Sequence, residues 1–206
     1  ISGLSVSGIE IGDLTTASGS TVTLGEKTLT FGTSTSSITV AGLIEGIGGI
    51  VKQGSGIVVL SGVNTYSGGT TLSGGTLNFI TGSLGSEALS MGEGTILQAG
   101  GATTSFSQGV TLTGSATIDT NGNSLAISGP ITGGSYGLTK TGAGTLTLSS
   151  ATNSYSGVTT INQGTLALSG TGTLYSGGAV AINGSSIFDI SGLSVSGIEI
   201  GDLTTA

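Results

Sequence analysis

Apolar and polar residues alternate along this chain in runs of only four or five positions. Thr21-Val22-Thr23-Leu24, Thr28-Leu29-Thr30-Phe31, Ile57-Val58-Val59-Leu60, Ala116-Thr117-Ile118-Asp119 and Thr145-Leu146-Thr147-Leu148 follow period two or are rich in β-branched residues. Gly, Asn or Ser closes each run, which predicts short β-strands joined by turns. No amphipathic helical pattern survives as many as about ten residues. In this reading Val59 and Leu146 face a core and Thr147 faces solvent.

The runs also recur at long range. Residues 1–17 and 190–206 carry the same seventeen letters, ISGLSVSGIEIGDLTTA, at an offset of 189. The expected organisation is therefore one tandem unit over 1–189 and the start of the next identical copy at 190–206. A second repeat lies inside the unit. Ile50-Val51-Lys52-Gln53-Gly54-Ser55-Gly56 corresponds to Leu138-Thr139-Lys140-Thr141-Gly142-Ala143-Gly144 at an offset of 88. After one inserted residue, Asn64-Thr65-Tyr66-Ser67-Gly68 matches Asn153-Ser154-Tyr155-Ser156-Gly157, and Gly75-Thr76-Leu77 matches Gly164-Thr165-Leu166. Fainter echoes pair residues 88–91 with 179–182 and 37–42 with 124–129.

Many short strands with such repetition fit a sandwich, a barrel, a propeller or a solenoid. Sandwiches and barrels do not tile head to tail without linkers, and none separates Asp189 from the second copy. The fold expected is all-β, a parallel β-helix or β-solenoid of about nine to ten rungs at roughly 21 residues each. Asn64 and Asn153 precede equivalent turns, where Asn bonds neighbouring backbone or ladders with another Asn. Tyr66 and Tyr155 are expected over turns or capping the core. Lys27, Lys52 and Lys140 are expected to blunt exposed strands.

Composition narrows the chemistry. Gly, Ser and Thr supply more than half of the 206 residues, which could suggest a disordered linker. Leu, Ile, Val and Phe, however, make up about 27%, above the roughly 20% below which chains stay unfolded. Arg, His, Cys and Trp are absent, so a zinc site of the usual kind, a disulfide and a His-dependent catalytic triad all lack their residues. Three Lys against ten acidic residues leave a net charge of -7, which cannot neutralise a run of phosphates; no nucleic-acid partner is expected. No stretch reaches the roughly 18 apolar residues of a membrane span, and residues 1–17 hold no signal-peptide pattern.

The two inner motifs, near 50–77 and 138–166, resemble one known module, the autotransporter-associated β-strand repeat or passenger-associated transport repeat. The resemblance rests on Lys52, Gly54, Gly56, Asn64, Tyr66, Gly68 and Gly75, and again on Lys140, Gly142, Gly144, Asn153, Tyr155, Gly157 and Gly164. Ile57-Val58-Val59 replaces the usual Thr-Leu-Thr, and Val158 replaces a glycine. It implies a right-handed β-helix in the secreted passenger of a type V secretion protein, exported across the outer membrane to the bacterial cell surface. It also implies that the module assists that export.

Other constellations read more simply as structure. Asp119-Thr120-Asn121-Gly122-Asn123 looks like a calcium loop, but its glycine falls early and Pro130 stands where the closing Glu belongs, so a tight Asn-Gly turn is expected. Glu87 with Glu93, and Glu10 with Asp13 and their copies Glu199 with Asp202, read as solvated charges without a cleft. The pairs Thr21/Thr23, Thr28/Thr30, Thr111/Thr113 and Thr145/Thr147 would suit an ice-binding face only if they aligned on consecutive rungs. The expected role is a structural stalk or fibre of an adhesin, with no enzyme activity and no cofactor, whose partners are neighbouring tandem repeats and a host or bacterial surface. The alternative is a flank that itself binds host glycans, other cells or ice.

Overall fold

A computed structural model describes residues 7–205; residues 1–6 of the first seventeen-letter copy and Ala206 of the second lie outside the described residues. Parallel strands in stacked coils form a β-solenoid of about 9 turns, with no helix among the described residues. Seven strands, from Gly8–Glu10 to Ile131–Thr132, line one face; nine, from Ile38–Val40 to Leu203–Thr205, line a second. Five, from Thr103–Phe106 to Ile187–Leu193, form a third face, and Thr21–Thr23 pairs with Leu43–Glu45 beside the first turns. Ile57 pairs with Thr76 and Ala181 with Thr204, so a turn takes about 19 to 23 residues.

Alternation sets the faces because successive strand residues point to opposite sides. Inward positions stack into columns, as in Val58–Leu77–Leu97–Ile118 on the nine-stranded face. All four are fully buried, and burying each such side chain stabilises by roughly 1.5–3 kcal/mol. Outward positions stack too: Thr30, Val51, Thr71, Ser90, Thr111 and Thr132 follow one another on the seven-stranded face. There β-branched and hydroxyl side chains suit a pleated, hydrated surface without carrying charge.

The strands expected from the sequence are present, with one correction in their facing. In Ile57–Leu60 it is Val58 and Leu60 that are buried, while Val59 points outward beside Asn78. Three apolar residues in a row carry no period, so the run could not reveal its parity; Leu146 buried and Thr147 outward agree with the alternation of Thr145–Leu148. The Asn121-Gly122 turn also exists, with φ of 50° and 77°. It is a corner, not a hairpin: Ala116–Asp119 belongs to the nine-stranded face and Ser124–Ile127 to the five-stranded one.

The register explains the offset of 88. Ile50 stacks in turn under Thr70, Leu89, Val110 and Ile131, and one corner later the chain reaches Leu138. The second motif is thus four turns and one face beyond the first. Ile50–Lys52 and Ile57–Leu60 occupy the seven- and nine-stranded faces, whereas Leu138–Thr141 and Thr145–Leu148 occupy the nine- and five-stranded faces.

Candidate functional site

Each motif places one lysine in an inward column with an apolar residue directly before and after it. Lys52 sits between Phe31 and Leu72, and Lys140 between Ile118 and Ile161. Both are fully buried, which corrects the expectation that they shield exposed strands. Period two already put them on the inward side, but charge argued for solvent, and here the alternation prevailed because the ammonium finds carbonyls at the corner. Lys52 Nζ donates to Gln53 O at 2.5 Å and Gly54 O at 2.8 Å. Lys140 Nζ donates to Thr141 O at 2.8 Å, Gly142 O at 2.7 Å, Gln163 O at 2.9 Å and Thr120 Oγ1 at 3.1 Å. Lys27 is half-buried.

The motif glycines make that corner. Gly54 and Gly142 have φ of +66° and +79°, a left-handed conformation that turns their carbonyls to the lysine and that side chains rarely adopt. Gly75 and Gly164 also have positive φ. At Gly56, Gly68, Gly144 and Gly157 an added Cβ would strike the backbone of the preceding rung.

Asn64 and Asn153 each tie three rungs together. Asn64 Oδ1 accepts from Ile44 N at 2.8 Å in the rung before, and its Nδ2 donates to Ser83 O at 2.7 Å in the rung after. Asn153 Oδ1 accepts from Ile131 N at 2.7 Å, and its Nδ2 donates to Thr173 O at 2.8 Å and Ser150 O at 3.3 Å. The tyrosine rings lie in the core. Tyr66 Oη bonds Thr70 Oγ1 at 2.5 Å, and Thr70 Oγ1 donates onward to Leu84 O at 3.1 Å; Tyr155 Oη bonds Thr159 Oγ1 at 2.8 Å. Thr70 and Thr159 were not singled out from the sequence, although each stands four residues after its tyrosine in both copies.

Burial governs the titration of these groups. It lowers the Lys52 pKa, with Asp13 opposing, and lowers that of Lys140 to about 8, with Asp119 opposing. Burial raises the Tyr66 pKa above its usual value and that of Tyr155 to about 12, with the threonine bonds opposing. No buried side-chain nitrogen or oxygen among the described residues lacks a hydrogen-bond partner. Groups so enclosed cannot touch a ligand; their chemistry is spent on holding one rung to the next.

The remaining candidates lie apart on the surface. Glu10, Asp13, Glu87, Glu93, Glu199 and Asp202 are exposed, and Glu93 Oε2 accepts from Ser115 N at 2.6 Å. Asp119 is taken up by an outward ladder: Asn78 Nδ2 donates to Gln98 Oε1 at 2.7 Å, and Gln98 Nε2 to Asp119 Oδ2 at 2.8 Å. Asp119 Oδ1 accepts from Asn121 N at 2.7 Å, closing the Asn-Gly corner. The four Thr-x-Thr pairs fall on three different sheets, and the two that share a sheet align only at Thr30 and Thr111, which are four rungs apart.

The sequence model of the passenger-associated transport repeat matches residues 50–79 and 138–168, the segments that hold the two lysine corners, asparagine ties and tyrosine–threonine pairs. No curated protein and no solved structure matches the chain.

Proposed function

From two passenger-associated transport repeats in a β-solenoid, which mark the chain as an autotransporter passenger-like segment, we propose an extracellular stalk whose repeats help drive its own export. In this reading it is not an enzyme and takes no cofactor or nucleic acid. It is exported to the bacterial cell surface and holds an adhesive region away from it. The observation that carries the reading is the pair of asparagine ties within the repeats. Each Asn is satisfied only when the rung before and the rung after are in place. A chain emerging unfolded through a pore folds rung by rung, because solenoid contacts lie between neighbours. Each completed tie then makes backsliding costly, since reversing it leaves buried polar groups unpaired.

The test is surface display of the parent protein carrying Asn64→Ala and Asn153→Ala. Each change leaves two or more backbone groups without a partner, at about 1–3 kcal/mol per group. Slower appearance at the surface is expected, with secreted protein that is digested by protease from that rung outward. Display at the wild-type rate, with an unfolding midpoint that has dropped, would detach the ties from export and leave them a role in stability alone.

A further inference from the structure

The seventeen-letter sequence found at 1–17 and 190–206 docks on the solenoid through opposite edges in its two copies. In the first, Gly8–Glu10 pairs with the rung that follows it, at Thr28 to Thr30. Gly12 O accepts from Gly32 N and Thr33 N, Thr16 N donates to Thr39 O, and Thr16 O accepts from Ala41 N. In the second copy, Leu203–Thr205 pairs with the rung that precedes it, Val180–Ile182. Gly201 N donates to Gly178 O, and Asp202 O accepts from Val180 N. The apolar residues divide in the same way: Ile9, Ile11 and Leu14 pack onto the core from one end and Ile198 and Ile200 from the other. One sequence therefore has two usable edges, and each copy uses one.

The two copies also return to the same face. Thr16 bridges Val40 on the nine-stranded sheet, and Thr205 pairs with Ile182 on that sheet. Followed through the register, Thr205 belongs to the column of Val58 and Ile38, two residues from the column of Val40. A slip of two preserves which side chains point inward, whereas a slip of one would reverse them all. Leu203 lies in an inward column with Val180, Thr159 and Leu138, yet it is 58% exposed; Leu14, the same residue in the first copy, is half-buried. The rung that follows the first copy pairs with it at Gly8–Glu10 and at Thr16, on either side of Leu14.

We propose that the end face carried by residues 196–205 seats a second copy of this repeat unit. Residues 27–42 of that copy stack on the face as residues 27–42 of this chain stack on 7–17. Successive 189-residue units then form one uninterrupted solenoid, with the repeated sequence as the rung shared between them. The inference rests on the repeat and its two docked edges, and is independent of the role in export.

The experiment compares the 206-residue chain with one that is a full period longer, residues 1–189 followed by 1–206. Amide hydrogen exchange is followed by NMR in segmentally labelled chains, where only residues 150–206 carry the isotope so that the junction at 196–206 is told apart from its identical copies, with Thr159–Ile161 as an internal marker that the body is folded. Exchange at Leu203–Thr205 is expected to slow at least about tenfold in the longer chain, approaching that of Thr159–Ile161, because both edges are then paired. Small-angle scattering should report a single rod of doubled length. Unchanged exchange at 203–205 with Thr159–Ile161 protected, or scattering from two rods about a hinge, would overturn the proposal. Neither measurement involves secretion, so a failure of the export reading leaves this test unaffected.

Discussion

Lys52 and Lys140 hold equivalent places in the two motifs, yet Lys52 makes two hydrogen bonds and Lys140 four. The bonds they share run to the corner that follows the lysine, at Gln53 and Gly54 or at Thr141 and Gly142. Those bonds are written into the motif itself, since a lysine two residues before a left-handed glycine faces its carbonyl. The two extra bonds of Lys140 reach the neighbouring rungs: Thr120 in the rung before lies outside the motif, and Gln163 O in the rung after lies within it. The motif is therefore a portable corner, and its neighbours set how firmly it is held. That portability is why the second motif can stand one face further round the solenoid than the first with its internal geometry kept.

The sharpest way to break this comparison is to place a charge at matched positions. The offset of 88 pairs Val58 with Leu146, both buried, and Val59 with Thr147, both outward. Val58→Asp and Leu146→Asp are each expected to lower stability by about 4 kcal/mol or more, because an unpaired carboxylate enters an apolar column. Val59→Asp and Thr147→Asp should stay within about 0.5 kcal/mol. Urea unfolding of the four variants reads this directly. A loss at Val59 equal to that at Val58 would show that the two motifs do not share one inward register.

The position of Val59 also marks how far the sequence could be read. Alternation fixed the facing of Thr145–Leu148 and of most strands, and the two repeat lengths pointed to stacked coils of about 21 residues. The parity of Ile57-Val58-Val59-Leu60 was not legible, because a wholly apolar run looks alike from both sides. Burial of the lysines was legible in principle from period two, but charge is a strong argument for solvent and outweighed the pattern. What no local pattern contains is the partner one rung away. Ser83 for Asn64, Gln163 for Lys140 and Gln98 for Asp119 lie about 20 residues distant, and turns of variable length hide that register.

A smaller effect comes from substituting and titrating the two lysines. Lys140→Met leaves Gly142 O and Gln163 O without their donor, while Thr141 O keeps those of Thr120, and Lys52→Met leaves Gln53 O and Gly54 O, so a comparable loss of about 2–3 kcal/mol is expected at each. The folded pKa of Lys140, about 8, lies below the usual lysine value of 10.5. Below pH 8 the amine is charged in both states, and the folded chain carries the cost of burying it. Between about 8 and 10.5 the unfolded chain binds more protons, so stability rises with pH. Tyr66 and Tyr155 act in the opposite sense: their folded pKa values are raised, so above pH 10 the folded chain holds more protons and stability falls. The melting temperature should climb from pH 8 to a maximum near 10 and then drop. Lys140→Met should reduce the climb to the part that Lys52, whose pKa burial also lowers, contributes, and keep the drop; a climb of unchanged size in this variant would assign it to another group.

The smallest expected difference is between the tyrosines, and it runs against intuition about the longer network. Tyr66 donates to Thr70 Oγ1, which passes the bond to Leu84 O. Tyr66→Phe therefore leaves Thr70 still bonded, and a loss of about 0.5–1 kcal/mol is expected. Thr159 is buried with Tyr155 Oη as its side-chain partner, so Tyr155→Phe strands a hydroxyl and should cost about 1–2 kcal/mol. The ordering can be checked with a second substitution at each site. Thr159→Val on top of Tyr155→Phe removes both polar partners from an apolar setting and should recover part of the loss. Thr70→Val on top of Tyr66→Phe deprives Leu84 O of its donor and should deepen it. Rescue at both sites, or at neither, would mean that the relay from Tyr66 to the following rung carries no energy.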